Sequence, residues 1–254
     1  MRAPAVQRAL EAEVAAARKR LGCPPRVLDV GGGSGVWAVP LARSGCAVTV
    51  VDPSPNALAT LHRRAAEAGV QHLVSPVQGD ADSLGEVVGA ASADLVLGHG
   101  VLEVVEDAAV ATGALAAATA AGGAVSILVA NRYAAVLVRA LAGRMADARR
   151  LLDDPDGRLG TGDPLLRRFE TGGLTALLEG SGLRVELVQG DGVVVDLVPS
   201  GVLETHPGAA DQLVELELAA AGRAPLRDVA SRLHVLARRL DPTRRAPSVV
   251  GARR

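Results

Sequence analysis

The sequence has very few aromatic residues, with one Trp, one Tyr and one Phe among 254 residues. This scarcity argues against a surface that binds nucleic acid by stacking bases on aromatic rings. The two cysteines, Cys23 and Cys46, are too few for a framework of several disulfides, and no CxxC pair or Cys/His cluster indicates a zinc site. We therefore expect a protein of the reducing cytoplasm that holds no metal.

Neither sign of charge dominates the sequence. Lys and Arg number 27 and Asp and Glu number 28, which gives a formal net charge of −1. A strong, non-specific nucleic-acid binder would carry an excess of basic residues, so this balance excludes that class but leaves a restricted RNA site open. Charged residues at 22% and hydrophobic residues at 49% are typical of a globular chain.

No segment of the sequence is typical of a signal peptide or a membrane span. Residues 4–21 are rich in alanine but carry several charges, which predicts a helix and not the apolar core of a signal peptide. Residues 108–131 are uncharged, but Gly122 and Gly123 divide them into a helix-like part and a strand-like part. We therefore expect no membrane association.

Strand-like and helix-like segments alternate along the first half of the chain. Strands are predicted at residues 26–30, 47–51, 72–77, 94–97 and 124–130, with helices at 36–44, 53–68 and 107–121. Such alternation predicts an α/β fold with a doubly wound, mostly parallel sheet that is covered by helices on both faces.

The alternation stops at residues 132–171, which are rich in arginine and contain no convincing strand. We predict a helical insertion there, after the fifth strand, as part of a substrate cap within a single domain over residues 1–254. Beyond it, strand-like runs are predicted at residues 183–188, 192–198 and 233–237, and helices at 171–179 and 209–221. Residues 241–254 are predicted to form a frayed, basic tail.

The most informative stretch joins the first predicted strand to the first helix through four glycines, at positions Gly31, Gly32, Gly33 and Gly35. A glycine turn at this place in a parallel sheet is where such folds bind nucleotides. A redox dinucleotide would set its pyrophosphate there, whereas S-adenosylmethionine would present a cationic sulfonium and an ammonium group. Asp29, just ahead of the glycines, would repel phosphate, and Val36 replaces the third small residue of the dinucleotide fingerprint. The spacing therefore favours S-adenosylmethionine.

Two further acidic residues follow strands on the same side of the predicted sheet. Asp52 ends the second strand, where a carboxylate can accept hydrogen bonds from both hydroxyls of a ribose. Asp80, followed by Ala81, comes after the third strand, where it could accept from an adenine amino group or simply cap a turn. We predict a ribose contact for Asp52 and an adenine contact for Asp80 and Ala81.

On these motifs, residues 24–130 resemble the class I S-adenosylmethionine-dependent methyltransferases, a resemblance that implies a seven-stranded Rossmann-like sheet and methyl transfer. Residues 94–105, 213–217 and 233–238 further resemble the bacterial tRNA 5-carboxymethoxyuridine methyltransferases, which esterify the carboxylate of a modified wobble uridine. The sequence departs from that family at residues 193–199, which lack its aromatic and basic residues, and at Val104, where the family has an aromatic residue.

The resemblance also implies roles for individual residues. Gly31 and Gly32 would contact the methionine moiety, and His99, at the end of the fourth strand, would contact the cofactor. An N-terminal arginine also contacts the cofactor in that family, and Arg2 is its nearest counterpart. Asn131 and Arg132, which follow the fifth strand, are the candidate contacts to the acceptor.

The acceptor decides whether a catalytic base is needed. A carboxylate is ionised at neutral pH, so its methylation depends on alignment, and we assign no catalytic residue. A phenol or amine acceptor would instead make His99 the candidate base. We expect Glu103 to be solvated, and we expect the arginines at 132–168, which alternate with acids, to form a solvated surface. A small-molecule O- or N-methyltransferase and a non-catalytic cofactor-binding subunit remain alternatives.

Overall fold

The computed structural model describes residues 4–199, 201, 203 and 208–240. Arg2 and the predicted tail at 241–254 lie outside the described residues. No helix in the described ranges is long and apolar enough to cross a membrane.

Seven strands form a single sheet in the order β3-β2-β1-β4-β5-β7-β6. The strands are β1 Arg26–Val30, β2 Ala47–Asp52, β3 Val74–Gln78, β4 Ala93–His99, β5 Thr119–Ala130, β6 Leu183–Asp191 and β7 Arg232–Arg239. Strand β7 is antiparallel to both β5 and β6, and the other pairings are parallel. This architecture confirms the predicted doubly wound, mostly parallel sheet.

Helices cover both faces of this sheet. They are α1 Pro4–Leu21, α2 Ala38–Arg43, α3 Pro55–Glu67, α4 Leu84–Val87, α5 Ala108–Ala118, α6 Arg132–Leu141, α7 Met145–Asp153, α8 Thr171–Gly180 and α9 Ala209–Ala221, with 3-10 turns at Gln71–Leu73 and Leu226–Val229. Helices α6 and α7 occupy the segment where the sequence predicted a helical insertion.

The alternation of side chains along β1 assigns each residue to one face. Leu28 and Val30 pack in the apolar cluster that includes residues of α5 and α8, whereas Val27 packs in the cluster that includes residues of α1, α2 and α3. Because side chains two residues apart share a face, Asp29 points to the same side as Val27. The carboxylate of Asp29 therefore enters the layer between the sheet and helices α1 to α3.

The predicted strand at residues 192–198 is wrong. The backbone N–H groups of Val193, Val194 and Val195 instead donate to the Glu217 carboxylate, at 2.9, 2.6 and 2.6 Å. The segment forms turns around that buried acid, and a strand ladder cannot form because these donors are already used. A run of β-branched residues favours a strand locally, but this contact from α9 overrides the preference.

Candidate cofactor and acceptor site

A cavity of about 890 Å³ opens at the carboxyl ends of β1 and β4. Its wall contains the glycine turn after β1, the first turns of α1, the residues that follow β4, and single residues of β5 and β7. The volume lies in the range of about 300–1,000 Å³ that is typical of small-ligand sites.

Helix α1 covers one side of this cavity. Gln7, Leu10 and Glu11 line it. Two residues after Glu11, the carboxylate of Glu13 accepts hydrogen bonds from the Arg238 guanidinium at 2.7 and 2.8 Å. Glu13 is buried, so this ion pair with β7 holds the middle of α1 against the sheet. The amino-terminal turns of α1 therefore form part of the wall of the site.

Two positions of the glycine turn, Gly32 and Gly35, pack too closely for side chains. A Cβ atom on Gly32 would lie 2.6 Å from the Asp29 carboxylate, and one on Gly35, whose φ is +80°, would lie 2.3 Å from Leu61. Both distances are far below a normal contact, and the positive φ of Gly35 independently disfavours other residues. The turn thus brings bare backbone to the cavity, as the sequence predicted.

Asp29 is the most unusual group in this wall. It is only 1% exposed, and neither of its oxygens has a hydrogen-bond partner within the described residues. Burial, and secondarily the nearby Asp52 carboxylate, raises the pKa of Asp29 to about 7. A buried carboxylate without partners is unfavourable unless a cation or a hydrogen-bond donor reaches it.

Asp52 and Asp80 have local partners. The Asp52 carboxylate accepts from the backbone N–H groups of Gly33 and Ser54, each at 2.9 Å, and so ties the glycine turn to the end of β2. Asp80 is exposed and accepts from the N–H and the hydroxyl of Ser83, both at 2.7 Å, and these hydrogen bonds lower the pKa of Asp80. Neither carboxylate is part of the cavity wall itself.

His99 lies at the carboxyl end of β4, where it lines the cavity. Its Nε2 atom is 2.8 Å from the Ser126 hydroxyl, which is 2.8 Å from Nε2 of His234. Nδ1 of His234 is in turn 2.9 Å from the amide nitrogen of Gln189. A chain of hydrogen bonds therefore runs from the cavity across β4, β5, β7 and β6.

The hydrogen bonds from Gln189 to His99 all donate in the same direction, towards the cavity. The amide nitrogen of Gln189 can only donate, so Nδ1 of His234 accepts and its Nε2–H donates to Ser126. The single hydroxyl proton of Ser126 then goes to Nε2 of His99, which leaves the His99 proton on Nδ1. Burial lowers the pKa of His99 well below its usual value and that of His234 to about 3, so both rings are neutral at pH 7.

Glu103 lies in the turn after β4 and lines the same cavity. The prediction that Glu103 is solvated is wrong, because the residue is only 6% exposed. Oε1 accepts from the backbone N–H of Ala130 at 3.1 Å, whereas Oε2 is buried and has no partner within the described residues. Burial raises the pKa of Glu103.

Arg232 also lines the cavity, together with His99 and Glu103, and its guanidinium donates to the Asp191 carboxylate at 2.5 Å. The sequence did not predict a role for Arg232, because this residue begins a strand, whereas ligands of parallel sheets bind where strands end. The reversed direction of β7 brings its amino end beside the carboxyl end of β5. A basic residue at the start of an antiparallel last strand is therefore the sequence feature that could have predicted a cavity residue here.

Asn131, predicted to contact the acceptor, lies outside the cavity wall. The residue is buried, and its Oδ1 atom accepts from the Tyr133 N–H and so caps α6. Its Nδ2 atom donates to the carbonyls of Asp228 and Ala230 at 2.9 and 2.7 Å. Both ends of the amide are therefore engaged in holding α6 to the loop before β7.

Arg132 also lies outside the cavity wall. Its guanidinium donates to the carbonyls of Leu151, Leu152 and Asp154 at the end of α7, and to the Glu170 carboxylate at 3.1 Å. These contacts join α6, α7 and the start of α8. The Arg132 side chain therefore holds the helices of the insertion together and is not directed at the cavity.

Among the described residues, no group of three or more His, Cys, Asp or Glu side chains could hold a metal ion.

The fold and the glycine turn define the class I methyltransferase architecture, and comparisons with known proteins agree. The sequence profile described as a methyltransferase domain matches residues 3–188, so the chain belongs to this family. The predicted enzyme class and cofactor are thereby confirmed, and the protein is an S-adenosylmethionine-dependent methyltransferase. No curated protein matches the sequence.

Several solved structures share the fold. An S-adenosylmethionine-dependent methyltransferase from Mesorhizobium loti is 22% identical, with a TM-score of 0.59 over 90% of this chain and 98% of that one. The 1,6-didemethyltoxoflavin-N1-methyltransferase of Burkholderia thailandensis is 18% identical, with a TM-score of 0.53 over 92% and 79%. The magnesium protoporphyrin IX methyltransferase of Synechocystis is 14% identical, with a TM-score of 0.58 over 92% and 83%. At these identities the likeness concerns the fold.

Proposed function

We propose that the cavity binds S-adenosylmethionine against Asp29 and that the methyl group goes to a small-molecule acceptor. The observation that carries the first part is the buried, unpartnered carboxylate of Asp29 beneath the glycine turn. A cationic methionine moiety would supply the missing partner, whereas a diphosphate would be repelled. The sulfonium supplies an electrophilic methyl group and departs as a neutral thioether.

The remaining cofactor contacts are assigned by the same proposal. Gly31 and Gly32 would face the methionine moiety, because the turn exposes bare backbone there. Asp52 would accept from the ribose hydroxyls, because a carboxylate that accepts one hydrogen bond on each oxygen retains further lone pairs. Asp80 with Ala81 stays the candidate for adenine, His99 for a further contact, and Arg2 for a contact from the amino terminus.

The contacts of two arginines in the insertion, Arg167 and Arg168, favour a small acceptor over tRNA. Arg167 donates to the carbonyls of Leu102, Val105 and Glu106, and Arg168 forms an ion pair with the buried carboxylate of Asp163. Guanidinium groups held in this way are not free to bind phosphates. Transfer to a small molecule also fits the neutral net charge, and it is the kind of acceptor named for the Burkholderia relative.

The carboxylate of a modified tRNA uridine is a second candidate, suggested by the sequence resemblance. Arg232 favours it, because a guanidinium in the cavity wall can hold a carboxylate. Here Arg232 already binds Asp191, and the unpartnered Glu103 carboxylate in the same wall would repel an anionic acceptor. We therefore rank it second.

One experiment tests cofactor and acceptor together. The purified protein is incubated with S-adenosylmethionine labelled in its methyl group, once with fractionated cellular RNA and once with a metabolite extract. We expect label in the metabolites and none in RNA, and a calorimetric titration that shows cofactor binding. Label in tRNA would establish the second candidate, and absence of cofactor binding would reject the proposal.

A further inference from the structure

The end of the cavity lined by His99, Glu103 and Arg232 contains one buried carboxylate with a free oxygen. Of the other acids in the wall, Asp29 lies beneath the glycine turn and Glu11 is exposed on α1. Glu103 instead follows β4, beside His99 and Arg232, with Oε1 fixed by the Ala130 N–H and Oε2 unpartnered. The Leu166 N–H, which donates to the Glu103 carbonyl at 2.8 Å, holds the backbone of this turn. The fixed turn and the bound Oε1 leave Oε2 available to a ligand.

The histidine in this wall cannot fill the role of a base. The chain through Ser126 and His234 supplies a proton to Nε2 of His99 and leaves the ring proton on Nδ1. That Nδ1–H is itself without a partner within the described residues, so His99 presents a hydrogen-bond donor. A group that accepts a proton from the acceptor must therefore be sought elsewhere in the wall.

We propose that Glu103 is the general base of the reaction and that the acceptor is a protic nucleophile, a hydroxyl or an amine. This inference rests on the proposed function. As the acceptor atom forms its bond to the methyl carbon, the carbon–sulfur bond breaks and its electron pair stays on sulfur. The proton of the acceptor passes to Oε2 of Glu103. Charge is conserved, because the cation and the carboxylate become a neutral thioether and a neutral carboxyl group.

The surroundings of Glu103 suit this role. Burial raises the pKa of its carboxyl group, while Arg232 on β7 and Arg167 before α8 act in the opposite direction. Asp191 partly neutralises Arg232, and the neighbouring ring of His99 is neutral. A base works best when its pKa approaches the working pH, so a raised pKa makes this carboxylate a better proton acceptor than a solvated one.

The nature of the methylated product gives the first test. Metabolites labelled as above are treated with dilute alkali, which releases methanol from methyl esters but leaves ethers and methylamines intact. We expect label that is stable to alkali. Release of the label as methanol would identify a carboxylate acceptor and overturn the role of Glu103, while the proposed methyltransferase function would stand.

A pair of variants gives the second test. Glu103→Gln preserves shape and the Ala130 hydrogen bond but accepts no proton, and Glu106→Gln makes the same change at an exposed position of the same turn. We expect E103Q to lower turnover by about 100-fold or more with an unchanged Kd for S-adenosylmethionine, and E106Q to behave as wild type.

The pH profile separates this role from a structural one. In the wild type, log kcat/KM should fall with a slope of one as pH drops and Glu103 becomes protonated, and E103Q should lose that limb. Retained turnover in E103Q, or cofactor binding with no label in any metabolite, would overturn the inference. Failure of the wild type to bind the cofactor would instead reject the proposed function.

Discussion

His99 and His234 share one hydroxyl group, because Ser126 Oγ lies 2.8 Å from the Nε2 atom of each ring. A hydroxyl has a single proton, so it must donate to one ring and accept from the other. The Gln189 amide sets the direction, and His99 is therefore held as the Nδ1–H tautomer at the cavity wall.

Ser126→Ala should release this constraint. Both Nε2 atoms lose their partner, so we expect the nitrogen NMR spectrum to show His99 as a mixture of tautomers where the wild type shows one. Leaving buried polar atoms unpaired should also lower the free energy of unfolding by about 1–3 kcal/mol. Ser44→Ala, which removes a hydroxyl at the cavity that donates to the Pro40 carbonyl, is the control and should leave His99 unchanged. A single, unaltered tautomer in S126A would contradict the directional chain.

Asp29→Asn should stabilise the ligand-free protein while weakening cofactor binding. The folded-state pKa of about 7 lies above the unfolded value of 3.8, so the folded protein loses stability as pH rises through this window. The shift corresponds to the order of 4 kcal/mol, and D29N should recover roughly 1–3 kcal/mol at pH 8, since its amide still lacks partners. Urea unfolding at pH 5 and pH 8 measures the gain, which should be largest at pH 8.

The same substitution tests the pH dependence of binding. A cationic ligand lowers the pKa of Asp29, so wild-type affinity for S-adenosylmethionine should decrease below pH 7 as the carboxyl group takes up a proton. D29N should bind more weakly at pH 8 and lack this dependence. If the calorimetric Kd values had the same pH dependence in both proteins, the cationic groups of the cofactor would not contact Asp29.

Asp52→Ala should weaken cofactor binding by about 10-fold to 100-fold, the equivalent of one or two charge-assisted hydrogen bonds. Its carboxylate fixes the Gly33 and Ser54 N–H groups, so the variant loses both the proposed ribose acceptor and the tie between turn and strand. Asp82→Ala, a nearby exposed acid, provides the control. An unchanged Kd for D52A would exclude the ribose role.

Arg132→Ala should destabilise the fold without affecting the site. The side chain joins α6, α7 and Glu170, so its removal leaves carbonyls at the end of α7 without donors and should cost about 2 kcal/mol. Arg149→Ala, which breaks only an exposed pair with Asp153, should leave the melting temperature unchanged. The Kd for cofactor should not change in either variant. If R132A were as stable as the wild type but bound the acceptor more weakly, Arg132 would have to contact the acceptor.

The predictable parts of the molecule are those that depend on local pattern. Alternating strands and helices predicted the parallel sheet, and the glycines between β1 and α2 predicted a turn of closely packed backbone, which lines the cavity. The burial of Glu103 was not predictable, since it depends on the packing of β5 and of Leu166, 63 residues away, around a short turn. The turns at residues 193–195 depend likewise on a carboxylate supplied by α9.

Asn131 and Arg132 illustrate a different limit. Their place at the carboxyl end of β5 is correct for an acceptor contact, but the same position also begins a helix. The sequence cannot say whether such polar groups serve the ligand or the helix, because either use satisfies them. The structure decides for the helix, since their polar groups bond other parts of the chain.

Helix α1 has two different attachments along its length. Glu13 is fixed to β7 through Arg238, whereas Gln7, Leu10 and Glu11 face the interior of the site. An occupant of that part of the cavity would therefore contact the first turns of α1. Occupancy should accordingly be detectable at the amino-terminal end of the helix, as slower amide exchange and resistance to proteases there, before any product is formed.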